Sequence, residues 1–150
     1  MHVVTGGAYN GKKVWVKETY SSQFTDKSLW FNCYEETWPI HFSFDRSHFM
    51  IVIEGIEEAL RHLLKREETR RAKEFFHLYV EPLLAWEKAD DKRQCVLIGT
   101  DITKGLVPMD KEERKWRDET GRLLQLCVSE ATDVTIVWFG LAQTIKGGKS

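Results

Sequence analysis

A short apolar run, His2 to Thr5, breaks at once into Gly6-Gly7-Ala8-Tyr9-Asn10-Gly11-Lys12-Lys13, and a helix is expected from Val14 to Tyr20. A strand, a glycine-framed turn, a lysine directly after the last glycine and then a helix is the plan of a phosphate-binding loop. Glycines let backbone N–H groups curl around phosphate oxygens. The helix adds its unpaired first N–H groups and the positive end of its dipole. On this reading residues Gly6, Gly7, Ala8, Tyr9, Asn10, Gly11, Lys12 and Lys13 form the nucleotide-binding loop, with Lys12 reaching the outer phosphates as a point charge. The alternative is a plain strand-to-helix turn with a solvated lysine pair.

One position departs from the plan. Such loops end in lysine followed by serine or threonine, whose hydroxyl ligates magnesium. Here the last residue is Lys13. A protonated ammonium has no lone pair to give a metal. It either neutralises phosphate charge or points away.

A second strong signal is Phe49 to Glu54, a continuous apolar run expected of a central parallel strand covered on both faces. It ends in a carboxylate followed by Gly55. Strand C-termini face the ligand in doubly wound sheets, so Glu54 is a candidate for holding metal-bound water or substrate. The bland alternative is a polar residue leaving the core. Leu29 to Tyr34, Gln94 to Ile98 and Asp133 to Phe139 are the other expected strands.

Ile56, Ala59, Leu60, Leu63 and Leu64 recur at helical spacing. A longer helical segment is expected from about Glu67 to Trp86, kinked or divided at Pro82. The last helix is expected from an Asp110 cap to Glu130, with Gly121 tolerated through close packing on another backbone. Gly99 to Pro108 is expected to be a loop on the ligand side, offering Asp101 and Lys104 to a substrate or phosphates. Arg114, Arg117 and Asp118 form an ion-pair network or face the cleft. His62 and His77 have no ligand spacing and read as ordinary histidines. Strands alternating with helices imply an α/β three-layer sandwich with a mostly parallel sheet. Residues 1–150 are expected to form a single domain, since this length fits one full core.

The formal net charge of -1 argues against a general nucleic-acid partner or an anionic-membrane binder. No apolar run is long enough for membrane insertion, and the N-terminus lacks a signal-peptide pattern. Cys33, Cys95 and Cys127 are isolated and odd in number, which suits free thiols and a cytoplasmic setting. Six tryptophans and eight phenylalanines imply aromatic packing in the core or at an oligomer interface.

Four segments together resemble the cobinamide kinase and cobinamide-phosphate guanylyltransferase family of adenosylcobalamin synthesis. They are Val4 to Ala8 with Gly11-Lys12; Gly99 to Pro108; Arg114, Trp116 to Asp118, Gly121 to Leu123 and Gln125; and Asp133 to Leu141. The resemblance implies a RecA-like P-loop fold, ATP or GTP as the nucleotide with Mg2+, and adenosylcobinamide as the alcohol that is phosphorylated. It also implies GMP transfer through a guanylylated histidine, and a homo-oligomer, a trimer in the family. Carried over, Gly6, Gly11 and Lys12 bind phosphates, Glu54 stands near the aspartate ending the family's third strand, and Asp101 stands at the family's loop glutamate. Lys12, Glu54 and Asp101 are thus the candidate catalytic residues and Glu54 the candidate metal ligand.

Several positions depart from the family. Lys13 replaces the metal-binding serine, and Tyr9 and Asn10 replace arginine and serine. Gly99 and Thr100 replace serine and asparagine, and Leu124 replaces asparagine. The segment that supplies the guanylylated histidine has no counterpart. His41 and His48 lie nearby without its context. The resemblance therefore points to a kinase-like protein lacking the transferase half. Its alternatives are a catalytically inactive relative, serving as a nucleotide sensor or corrinoid-pathway partner, and a phosphotransferase for a different small alcohol.

Overall fold

The structure is a computed structural model and describes residues 1–36, 47–103 and 107–148. Among the described residues there are six strands, β1 (His2–Gly6), β2 (Ser28–Asn32), β3 (Met50–Glu54), β4 (Gln94–Thr100), β5 (Asp133–Trp138) and β6 (Leu141–Lys146). They form one sheet in the order β2-β3-β4-β1-β5-β6. The first five are mutually parallel, and β6 returns antiparallel to β5. The helices are α1 (Lys12–Thr19), α2 (Ile56–Lys65), α3 (Ala72–Phe75), α4 (Glu81–Lys88) and α5 (Lys111–Glu130).

Alternation along the strands sorts the core into two clusters, because successive side chains point to opposite faces. Val3, Ile51, Ile53 and Leu97 pack with Leu60 of α2, Phe75 of α3 and Leu123 of α5. Val4, Val52, Val96 and Val137 face the other way, onto Val16 of α1 and Tyr20. The packing is therefore three-layered, with one face covered by α2 to α5 and the other by α1. Among the described residues no helix is long and apolar enough to cross a membrane.

This topology makes a crevice. The connection leaving β1 runs over one face of the sheet as α1, and the one leaving β4 runs over the opposite face as α5. Neighbouring strands whose connections part in this way open a gap at their carboxyl ends, where ligands of such sheets bind.

Several boundaries differ from expectation. α1 begins at Lys12 rather than Val14, because Gly11 takes a left-handed φ of 89° and serves as its cap. Residues 67–71 precede the second helical segment instead of belonging to it, and Glu67 itself has a positive φ of 58°. Between α3 and α4 the chain makes a π-helical turn, Phe76–Val80, which ends one residue short of Pro82 with only Glu81 between. A proline lacks an N–H and crowds the preceding turn, and the wider turn is where that irregularity is taken up. Leu141 to Lys146, with no element expected, is the antiparallel edge strand β6. Asp110 caps α5 as expected, accepting from Glu112 N at 2.7 Å and Glu113 N at 3.2 Å. The close neighbour of Gly121 is a side chain, since an added Cβ would lie 3.1 Å from Thr103 Cγ2.

Candidate functional site

The glycine loop is built by steric exclusion at its ends. Gly6 closes β1 with a φ of 145°, and a Cβ there would sit 2.3 Å from the carbonyl oxygen of Val137. The two backbones can approach only without a side chain. The Gly6 carbonyl accepts the Asp101 N–H at 2.9 Å, tying the loop to the end of β4. At the far end, the Gly140 N–H donates to Asn10 O at 2.9 Å, tying it to the turn between β5 and β6. Gly11 has no side chain with which to cap α1, so the helix presents its first N–H groups without a side-chain cap. Tyr9 holds a left-handed φ of 60° and is fully exposed, so its ring stands out from the loop into solvent.

The two lysines diverge. Lys12 is the first residue of α1 and only 8% exposed. Its Nζ donates to Gly7 O at 2.7 Å, folding the chain back into its own loop. Burial lowers its pKa, opposed by the nearby negative charge of Glu57 and then Glu54. Lys13 reaches across to β3, where its Nζ lies 3.4 Å from Glu54 Oε1 and 5.7 Å from the Trp30 ring centroid. The same Glu54 oxygen accepts the Trp30 indole N–H at 2.9 Å.

Behind these groups lies a carboxylate that the sequence reading did not single out. Glu57, in the first turn of α2, is 2% exposed. Its Oε1 accepts the Thr100 N–H at 2.9 Å, and its Oε2 accepts the Tyr34 hydroxyl. Burial pushes the Glu57 carboxyl above its ordinary value, and the Tyr34 and Thr100 hydrogen bonds pull the other way. Tyr34 is itself raised, first by burial and then by the Glu57 charge. Trp116 of α5 completes this corner, donating its indole N–H to the Glu57 carbonyl at 2.8 Å while Arg61 stacks on its ring at 4.4 Å.

These groups surround a cleft of about 710 Å³ at the carboxyl ends of β1, β3 and β4. Residues 8–14 form one wall, and Glu54, Glu57, Tyr34, Thr100 and Trp116 form the others. It is larger than the 340 Å³ cavity between α2 and α5 beside Arg61 and Trp116. Its volume lies within the range of small-ligand sites. One wall is cationic with open N–H groups, and the facing wall carries carboxylates.

The sequence candidates are distributed unevenly around it. Lys12, Lys13 and Glu54 share the cleft. Asp101 does not line it: its Oδ1 accepts from Thr103 N at 2.9 Å and from Thr103 Oγ1 at 2.5 Å, in a local turn. Lys104, Gly105 and Leu106 lie outside the described residues, as does His41. His48 precedes β3, at the opposite end of that strand from the cleft. Arg117 pairs with Asp118 at 3.0 Å, and Arg114 donates to the carbonyls of Pro108 and Met109, all away from the cleft. His62 lies 3.9 Å from Glu58 and His77 lies 2.8 Å from Glu81, each one turn apart along its helix.

The surroundings of Glu54 do not fit a protein-held magnesium ion. The loop position that would offer a hydroxyl offers an ammonium, and Glu54 Oε1 already receives two donors. Among the described residues no group of three or more His, Cys, Asp or Glu side chains is placed to hold a metal.

Residues 30–145 match the sequence model of a family described as cobinamide kinase / cobinamide phosphate guanyltransferase. No curated protein matches the chain. The matched span takes in Glu54, Glu57, Thr100 and Trp116, and it begins after the glycine loop.

Proposed function

We propose, from the premise that the chain belongs to the cobinamide kinase / cobinamide phosphate guanyltransferase family, that it binds a nucleoside triphosphate on the Gly6 to Lys13 loop and phosphorylates an alcohol of the adenosylcobinamide type. The carrying observation is that Lys12, an uncapped helix start and two carboxylates line one cleft at a topological switch point. This arrangement supports reading the loop as a P-loop in a RecA-like sheet. An acceptor hydroxyl oxygen would attack the γ-phosphorus as the bond to the β–γ bridging oxygen breaks and the nucleoside diphosphate leaves. Lys12 neutralises charge on the transferring group. Glu57, which lines the cleft with its carboxylate oriented by the Thr100 N–H and the Tyr34 hydroxyl, is the group assigned to take the hydroxyl proton. GMP transfer is not part of this proposal, because no histidine lines the cleft among the described residues and that reaction needs a nucleophile at the α-phosphate.

Incubation of the purified chain with ATP or GTP and adenosylcobinamide tests the reading. Phosphorylated product is expected from wild type and not from Lys12→Ala. No product, under conditions where an active family member yields it, overturns the kinase reading.

A second reading is a catalytically silent relative that binds nucleotide or a corrinoid-pathway partner. The direct Lys13–Glu54 contact favours it, since it alters the group next to Lys12. Nucleotide binding without turnover would select it. A homotrimer is carried by the family resemblance, and light scattering on the purified chain tests it.

A further inference from the structure

We propose that the Lys13 ammonium takes the place of a divalent cation, so that this cleft binds its phosphate-bearing ligand as the metal-free anion. The inference rests on the nucleotide reading above and specifies the form of the ligand.

The geometry is a matter of two positions. In loops of this plan, the residue after the lysine offers a hydroxyl to magnesium, and a carboxylate from another part of the chain stands on the other side of the ion. Here the corresponding positions are Lys13, second residue of α1, and Glu54, last residue of β3. Their side chains meet directly, with Lys13 Nζ 3.4 Å from Glu54 Oε1. Magnesium needs oxygen ligands at about 2.0–2.1 Å in near-octahedral order. An ammonium at this distance occupies the space between the two positions and repels a dication from it.

The surroundings hold the ammonium there. Trp30 donates to the same carboxylate oxygen at 2.9 Å, fixing where Glu54 points. The Trp30 ring receives Lys13 at 5.7 Å and Lys17, one turn further along α1, at 5.5 Å. The Glu54 side chain is 11% exposed, whereas the Lys13 side chain is 42% exposed and lines the cleft. Lys13 can therefore keep Glu54 on one side and offer its remaining N–H donors to a phosphate oxygen on the other, because an ammonium carries three. Lys12 and the first N–H groups of α1 supply the rest of the anion's partners.

Magnesium should then work against binding. A magnesium-chelated triphosphate carries less negative charge, and its ion would have to displace Lys13 from Glu54. Calorimetric titration of the full chain with ATP and with GTP, in chelator and in excess magnesium, decides the matter. The expected result is binding in chelator that weakens when magnesium is added. Lys13→Ser should lose roughly tenfold or more in chelator, the scale of one charge-assisted contact, and should regain affinity with magnesium. Wild-type binding that requires magnesium overturns the inference and leaves the nucleotide reading intact. No binding by folded wild type in either condition overturns the nucleotide reading, and the inference with it. The wild-type comparison is decisive even where Lys13→Ser fails to fold.

Discussion

Gly140 donates its backbone N–H to the carbonyl oxygen of Asn10 at 2.9 Å, so the turn between β5 and β6 braces the glycine loop from outside. The loop has little room for side chains against that brace. At Gly11 a Cβ would lie 3.3 Å from the Gly140 Cα, on a backbone already at φ 89°. Gly11→Ala should cost about 1–2 kcal/mol, the scale of forcing a side chain into left-handed geometry. Gly6→Ala should cost more, about 3 kcal/mol or beyond, because its Cβ would lie 2.3 Å from the main-chain oxygen of Val137. Urea unfolding of the two variants against wild type checks this. An unchanged midpoint for Gly6→Ala would mean that the β1–β5 approach is looser than described.

Tyr34 and Glu57 give a prediction about pH. The Glu57 carboxyl is raised by burial, so the folded chain holds its proton more tightly than the unfolded chain does. Stability from this group is then full below the unfolded value near 4.5 and is lost as pH rises through the higher folded value. Glu57→Gln should remove that loss, so the variant gains on wild type as pH climbs. Tyr34→Phe should deepen it, since the Tyr34 hydrogen bond lowers the carboxyl pKa. It should also cost about 1–3 kcal/mol at neutral pH by leaving a buried oxygen without its donor. Denaturant unfolding across pH 4 to 8 reads both effects (roughly the carboxylate-to-histidine range). Parallel pH curves for all three proteins would sink the assignment.

His2 acts in the opposite direction. Its ring is buried, with Nδ1 2.5 Å from the Tyr20 hydroxyl and Nε2 2.7 Å from Thr135 Oγ1. Desolvation lowers its pKa below 6.5, against the pull of Asp133. The neutral form therefore stabilises the fold above 6.5, and this contribution is lost as pH falls through the lower folded value. In His2→Gln the acid-side loss should be shallower than in wild type. Proton resonances of the ring give the folded pKa directly, and a value at or above 6.5 would contradict the burial argument.

Much of the sheet was legible because buried parallel strands are continuous apolar runs. Met50 to Glu54 is buried at every position and reads unmistakably in the sequence. β6 is the converse case. All its residues are exposed, so no burial pattern marks it, and only its pairing with β5 makes it a strand. The cleft was half legible. Glycines followed by lysines announced one wall. Glu57 reads as an ordinary acidic residue in a helix's first turn, where it would suit the dipole. Only the packing of Tyr34, Thr100 and Trp116 around it shows that it is enclosed. Lys13 was visible as a departure, but its partner was not, because Glu54 is brought to it by the sheet order and not by spacing in the chain.

The three cysteines should be silent in the native protein and equivalent once it unfolds. Cys33, Cys95 and Cys127 are free and almost wholly buried. Burial pushes all three thiols up, Cys127 to about 12. The thiolate is the reacting form, so at pH 8 its share for Cys127 is on the order of 10⁻⁴ even before access is considered. Each side chain also lies in the main apolar cluster, Cys95 in β4, Cys33 directly after β2 and Cys127 on α5, so a reagent reaches them only when packing opens. A disulfide-exchange dye should therefore label native protein slowly and take up three equivalents in denaturant. The native rate should rise in Gly6→Ala, where the sheet is destabilised at β1. Rapid labelling of one thiol in folded wild type would show that this core opens without global unfolding, and mass mapping would identify which layer does so.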